Sequence, residues 1–313
     1  MILELPDTTT AKVAKELVNL REEGGAVALG RVLTLLISTT IGEEEEAIAA
    51  ANEASREHPM RVIVLSVIEP EHSISNRLDA EVRVGGDAGA SEVIVLRAYG
   101  QVGSDEQGLV TGLLLPDTPV VAWWPGAAPE KVSESPLGKI AQCRITDAAA
   151  QADPIEALGD LSKTYAPGDA DFAWTRLTLW RTQLAAVLDQ PPYEPITEAH
   201  VTSTPDFPSA KMLAAWLQLQ LGVPVSCDLT HTGLSWGGIH GVRLVRPSGD
   251  IELTRIEPSV ARLKQPSQPT HEIAMPRRSL RDCLSEELRR LDPDEVYGRV
   301  VTEGLPQIIV TAK

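Results

Sequence analysis

Hydrophobic and polar positions alternate with two periods along the first half of the chain. Val13, Leu17 and Leu20 share one helical face, which predicts a helix over residues 10–20. RVLTLLIST (31–39) is a leucine-rich, β-branched run, apolar enough to predict a strand buried on both faces. A helix is expected from Gly42 to near Glu57. Glu43–Glu46 sit at the positive end of its dipole, and Ala47, Ala51 and Ala54 form a small packing stripe. RVIVLSVI (61–68) is the next strand, so strand, helix and strand make a βαβ unit. Within 78–99, Val82 and Val84, then Val93 and Val95, alternate on either side of a glycine-rich turn, which makes the sheet mixed. A helix over 103–114 and a buried strand PVVAWW (119–124) follow.

A helix opening at Pro154 leads to APGDAD (166–171), the best linker candidate. This predicts an N-terminal domain over 1–168 and a C-terminal domain over 169–313. The second opens with FAWTRLTLWRTQLAAVL (172–188), read as one helix capped by Asp171. A strand at 196–203, a helix from Pro208 to Leu221 closed by Gly222, and a short strand Val223–Leu229 come next. VRLVRPSGDIELTRI (242–256) is a hairpin turning at Pro247–Asp250, and HEIAM (271–275) an edge strand. Ser279 and Asp282 form a capping box ahead of a stripe of Leu280, Leu284, Leu288 and Leu291. The fold class is therefore α/β, with an N-terminal βαβ-containing mixed-sheet domain and a C-terminal α+β domain with helices and an antiparallel hairpin.

Charge narrows the function classes. A net charge of -16 repels phosphate backbones and anionic lipid, so neither nucleic acid nor membrane is an expected partner. No apolar run approaches the ~18 residues of a membrane span, and the acidic N-terminal segment lacks a signal-peptide charge pattern. Cys143, Cys227 and Cys283 are scattered, as suits a reducing, cytoplasmic setting.

No complete catalytic or metal-binding constellation is present, and no cofactor is expected. GLSWG (233–237) matches the nucleophile-elbow string, but more glycines and then a strand follow its serine where a helix is required. The link TTIGEEEE puts carboxylates where a dinucleotide fingerprint places glycines. Cys227, His231 and His240 fit no zinc spacing, and His231 reads better as a hydrogen-bonded loop residue. More informative are the tryptophans, which supply six of only twelve aromatic residues and bunch at Trp123–Trp124, Trp174–Trp180 and Trp216–Trp236. Arg181 falls on the core seam of the 172–188 helix, where a charge needs a partner or an edge. Arg176 and Trp180 stand four apart on another face, spaced to stack. Trp123 and Trp124 face opposite ways on their strand, so one can fill the core while the other caps a rim. His58 sits at a helix end next to Pro59, with Arg61 close by.

HPMRVIVL (58–65), WWPG (123–126), SPLG (135–138), RITD (144–147) and DADFAWTRLTLWR (169–181), in that order and spacing, resemble the glucose-6-phosphate dehydrogenase assembly protein (OpcA) family over essentially the whole chain. The resemblance implies a non-catalytic factor whose partner is the oligomeric NADP-dependent glucose-6-phosphate dehydrogenase of the oxidative pentose phosphate pathway, promoting its active oligomer. It nominates His58, Arg61, Trp123, Trp124, Arg144, Asp147, Arg176, Trp180 and Arg181 as partner or anion contacts, with Asp171 and Trp174 as structural companions. Two other readings stay open: a sugar-phosphate sensor with Arg144, Arg176 and Arg181 in one pocket, and an enzyme with a non-standard site.

Overall fold

A computed structural model describes the chain apart from residues 24–29, 69–74, 85–91, 230–235, 309 and 313. The strands of the first sheet are β1 (Ile2–Leu5), β2 (Leu33–Thr40), β3 (Met60–Val67), β4 (Arg77–Arg83), β5 (Glu92–Tyr99), β6 (Val120–Trp123), β7 (Cys143–Thr146) and β8 (Asp169–Asp171). Those of the second are β9 (Glu198–Ser203), β10 (Val225–Leu229), β11 (Ile239–Val245), β12 (Ile251–Glu257), β13 (Val260–Lys264), β14 (His271–Ala274) and β15 (Val310–Ala312). The helices are α1 (Thr10–Glu23), α2 (Glu44–Ala54), α3 (Glu106–Thr111), α4 (Pro136–Ile140), α5 (Pro154–Thr164), α6 (Phe172–Thr175), α7 (Thr178–Leu188), α8 (Pro208–Leu221), α9 (Leu280–Arg289) and α10 (Glu295–Arg299). The protein is thus α/β with two mixed sheets, the class read from the sequence.

Contacts divide it into two units. One holds Met1–Thr146, Gly168–Ala170 and Ser279–Pro293; the other holds Asp147–Pro167, Asp171–Arg278 and Asp294–Lys313. The linear split at 168/169 differs from this division, because α5 goes with the second unit and α9 with the first.

In the first unit the sheet order is β1-β4-β5-β3-β2-β6-β7-β8. Strands β5, β3, β2, β6 and β7 are parallel. In chain order they stand third, second, first, fourth and fifth, the doubly wound arrangement of dinucleotide-binding folds. The β4–β5 pair is antiparallel, so the sheet is mixed as its sequence pattern required. Leu35, Leu36, Ile37, Val62, Ile63 and Val64 are all buried, so both faces are covered.

In the second unit the order is β14-β13-β12-β11-β9-β10-β15. Strand β9, helix α8 and strand β10 form a parallel crossover, and the remaining neighbours from β9 to β14 pair antiparallel. Strand β14 lies at the sheet's edge, as HEIAM suggested. Helix α8 ends at Gly222 with φ 66°, the left-handed cap the sequence called for.

Two expected helices are interrupted. The 103–114 segment is a tight turn, Gly100–Ser104, followed by the short α3, whose cap Asp105 accepts from the Gly108 amide. The 172–188 segment breaks at Arg176–Leu177, where the Leu177 amide bonds Trp174 O at 2.9 Å. An ideal α-helix would fan residues at i, i+3 and i+6 apart. One three-residue turn eclipses them, so Trp174, Leu177 and Trp180 are all buried together. The short strands β1, β7, β8, β13 and β15 carry too few residues for a periodic signal.

Two glycines separate close approach from backbone conformation. A Cβ on Gly138 would lie 1.7 Å from Val132 O, whereas one on Gly222 meets nothing within 4 Å and only its φ of +66° resists substitution. Gly138→Ala is expected to cost about 3 kcal/mol and Gly222→Ala about 1 kcal/mol, read from urea unfolding. Equal costs would contradict this distinction.

Candidate functional site

The nominated residues turn up buried or half-buried, and the polar contacts described below each stay inside one unit. HPMR lies at the start of β3. The His58 imidazole contacts Ser285 O at 3.1 Å, and Pro59 O accepts from the Val32 amide. The Arg61 Nε donates to Glu92 at 2.7 Å and its Nη1 to Leu113 O at 2.5 Å. Glu92 begins the neighbouring strand β5, so parallel register puts the carboxylate beside the guanidinium.

Trp123 and Trp124 are both inside, which corrects the expectation of a rim residue. They do point to opposite faces of β6, but α-helical layers cover both faces of a doubly wound sheet. Trp124 packs with Leu36, Ile63, Leu109 and Leu137. SPLG builds the start of α4. Ser135 accepts from the Gly138 amide at 3.0 Å, Pro136 opens the helix, and Leu137 is buried.

RITD and DADFAWTR then pair twice. Arg144 on β7 donates its Nε–H to Asp169 and Nη1 to Ala141 O. Arg176 grips Asp147 with both terminal nitrogens, at 2.7 and 2.6 Å. Asp171 accepts from the Ala173 amide at 2.8 Å and the Ala148 amide at 2.9 Å, so the cap read from sequence secures two segments. The Trp174 indole donates to Asp294 at 2.9 Å. The stacking partners differ from the spacing argument. Arg181 lies 3.7 Å over Trp174, whereas Trp180 has Arg255 at 5.5 Å. Arg176 is held by the bidentate Asp147 carboxylate and lies 5.9 Å over the Phe172 ring, not over Trp180. Arg144, Arg176 and Arg181 therefore serve three separate contacts and do not converge on one pocket.

The acids Glu92, Asp169 and Asp294 escaped sequence reasoning, since nothing local marks a carboxylate whose arginine or indole partner lies tens of residues away. One overlooked residue did carry a signal. Along β12, Ile251, Leu253 and Arg255 alternate onto one face and are all buried, so a charge sits on a core-facing register. His231 and Ser235, weighed for metal binding and hydrolysis, lie outside the described residues. Among the described residues, no group of three or more His, Cys, Asp or Glu could hold a metal ion, and no helix is long and apolar enough to cross a membrane.

A doubly wound sheet holds its dinucleotide where the strand order reverses, with the pyrophosphate at the first helix N-terminus. The corresponding cavity here, about 390 Å³, lies between the ends of β2 and β6 and is lined by Glu43, Glu45, Glu46, Pro125 and Gly126. Glu44, buried, accepts from the Gly42 amide at 2.8 Å, so the turn's own backbone donor is taken by a protein carboxylate. Arg97 joins Glu44 to Glu81, and Arg83 joins Glu81 to Glu45. Hydrogen bonding from Arg83 holds the Glu45 carboxyl below its usual range. A pyrophosphate does not fit among these anions.

The three cysteines are buried and unpaired with one another. Burial, with Glu287 and Asp169 outweighing Arg144, pushes the Cys143 thiol up to about 12, and burial pushes Cys227 to about 11. Thiolate is the reactive form, so at pH 8 neither should react with a disulfide reagent faster than the protein unfolds. Prompt labelling of Cys143 or Cys227 in the native protein would contradict this.

Asp147 is 3% exposed and Arg176 22%, so removing the arginine strands a buried carboxylate. Arg176→Ala is expected to lose about 3 kcal/mol of stability. A double-mutant cycle with Asp147→Ala should give a coupling of roughly 2 kcal/mol by chemical denaturation. Strict additivity would show the pair to be idle.

Two family models match this chain. The N-terminal domain of the glucose-6-phosphate dehydrogenase subunit matches residues 51–163, and the C-terminal domain of the same subunit matches 167–301. Among curated proteins none matches. Solved structures resemble it at the level of fold. An oxidoreductase from Sinorhizobium meliloti superposes with a TM-score of 0.51 at 13% identity, over 89% of this chain and 95% of its own. A 3-ketoreductase from Actinomadura kijaniata, in complex with TDP-benzene and NADP, gives 0.45 at 8% identity, over 90% and 99%. The two family matches account for most of the chain and take in every motif from WWPG onward together with HPMR, so the protein belongs to the glucose-6-phosphate dehydrogenase assembly (OpcA) family.

Proposed function

We propose that this protein is a non-catalytic assembly and activating factor for an oligomeric NADP-dependent glucose-6-phosphate dehydrogenase. Family membership across both domains is the observation that carries the reading. The acidic crevice of the first unit supports it, because the fold's habitual cofactor position is built of Glu44, Glu45 and their arginines. Arg61, Arg144 and Arg176 support it as well, being committed to internal carboxylates.

The work would then fall to the surface. At a net charge of -16 the favoured partner surface carries basic patches. A factor that binds only the active assembly stabilises it by mass action, by about 2.7 kcal/mol at a hundredfold excess over Kd. That shifts the equilibrium about a hundredfold, enough to carry an oligomer populated at about a tenth to about nine tenths.

The purified chain should not reduce NADP with glucose 6-phosphate. Added to the cognate dehydrogenase, it should raise activity most where the dehydrogenase is dilute. Unchanged activity at every ratio, or steady NADP reduction by the chain freed of dehydrogenase, would overturn the reading.

A further inference from the structure

We propose that the second unit binds a small phosphate monoester in the cavity walled by Arg255, Arg277 and the first turn of α8. This inference is independent of the assembly reading.

The cavity, about 180 Å³, is lined by four arginines, Arg176, Arg255, Arg277 and Arg278, together with Trp180, Phe207, Ser209 and Gly238. Arg255 and Arg277 differ from the motif arginines Arg61, Arg144 and Arg176, the last of which also reaches this wall. Arg61, Arg144 and Arg176 each hold a carboxylate. Arg255 is buried yet donates to two neutral carbonyls, Pro258 O and Met275 O, both at 2.6 Å. Arg277 donates to Gly237 O. Among the described residues neither has a carboxylate within ion-pair distance. A buried guanidinium without a counter-anion is costly, and a second one nearby adds repulsion. Burial, and then Arg277, lowers the Arg255 pKa. Burial followed by Arg277 and Arg255 also lowers that of the neighbouring His240. The field in this corner is positive.

Two further features point to an oxyanion. Ser209 is 1% exposed, and its hydroxyl is buried with no hydrogen-bond partner. Such a group is unusual unless something else completes it. Ser209 also stands in the first turn of α8, a 14-residue helix whose amino end opens on the cavity. Helix N-termini favour anions. Gly238, at φ +107°, keeps the wall thin: a Cβ there would touch the Phe207 ring at 3.4 Å and Arg277 Nη2 at 3.5 Å.

The donor set selects the ligand. Two guanidinium groups, a hydroxyl and a helix terminus offer more hydrogen bonds than the two oxygens of a carboxylate accept. A tetrahedral dianion takes them all and matches the charge of Arg255 and Arg277. The Trp180 and Phe207 walls leave room for a small organic group beside the phosphate.

Isothermal titration of the full chain, with ionic strength matched by potassium chloride, tests the proposal. The probes are inorganic phosphate, glucose 6-phosphate, glucose and acetate. Phosphate and the hexose phosphate should bind, and glucose and acetate should not. Arg277 is on the rim, so Arg277→Ala should keep the parent's thermal midpoint and weaken binding roughly tenfold to hundredfold. Ser209→Ala, which removes a hydroxyl that bonds nothing in the protein, should weaken it by a smaller factor. Absence of phosphate binding, or affinity unchanged in Arg277→Ala, would overturn the assignment. Acetate binding as well as phosphate would make this a carboxylate pocket and overturn it too.

Discussion

A guanidinium group keeps its charge at any physiological pH, so an arginine taken out of water must bring an acceptor with it. That constraint organises this protein. Arg61 meets Glu92, Arg144 meets Asp169, Arg176 meets Asp147, and Arg97 and Arg83 thread together Glu44, Glu81 and Glu45. The buried pairs of Arg61, Arg144 and Arg176 fix the register of segments distant in sequence, because neither member can be lost without stranding the other. Apolar layers supply most of the driving force, but they tolerate sliding. The ion pairs do not. The short strings HPMR, RITD and DADFAWTR are accordingly joints of a scaffold whose positions are set by partners elsewhere in the chain.

The same constraint explains what the sequence revealed. Periodic apolar runs placed β2, β3, β9 and α8 well, because burial on one or both faces leaves a repeating mark in the residues. Asp171 and Ser279 were legible as caps because capping is local. The long-range pairs left no such mark. Arg176 stood four residues from Trp180 and looked ready to stack, yet its carboxylate comes from β7's end, 29 residues earlier. Both tryptophans of WWPG were placed by alternation correctly and by burial incompletely. A strand pattern cannot report that helices cover both faces. Arg255 shows the reverse case, a charge on an apolar register that could have been noticed.

These features bear on function through what they remove from it. Arginines and tryptophans are strong interface anchors when exposed, but here most of the nominated ones are spent inside. The doubly wound sheet has likewise exchanged the glycines of a nucleotide turn for Glu44 and its neighbours, so that fold likeness to oxidoreductases carries no cofactor with it. Under the proposed assembly role, what remains for a partner is the acidic exterior, read as a whole rather than through one motif. Recognition of that kind is salt-sensitive and steers association more than it fixes final affinity.

The most direct measurement is the mass distribution of the cognate dehydrogenase as this chain is added, followed by single-particle mass determination at dilute, fixed dehydrogenase concentration. The larger oligomer should grow saturably with added chain, through a complex whose mass includes this protein. A distribution that stays constant across the titration, with both proteins folded, would contradict it.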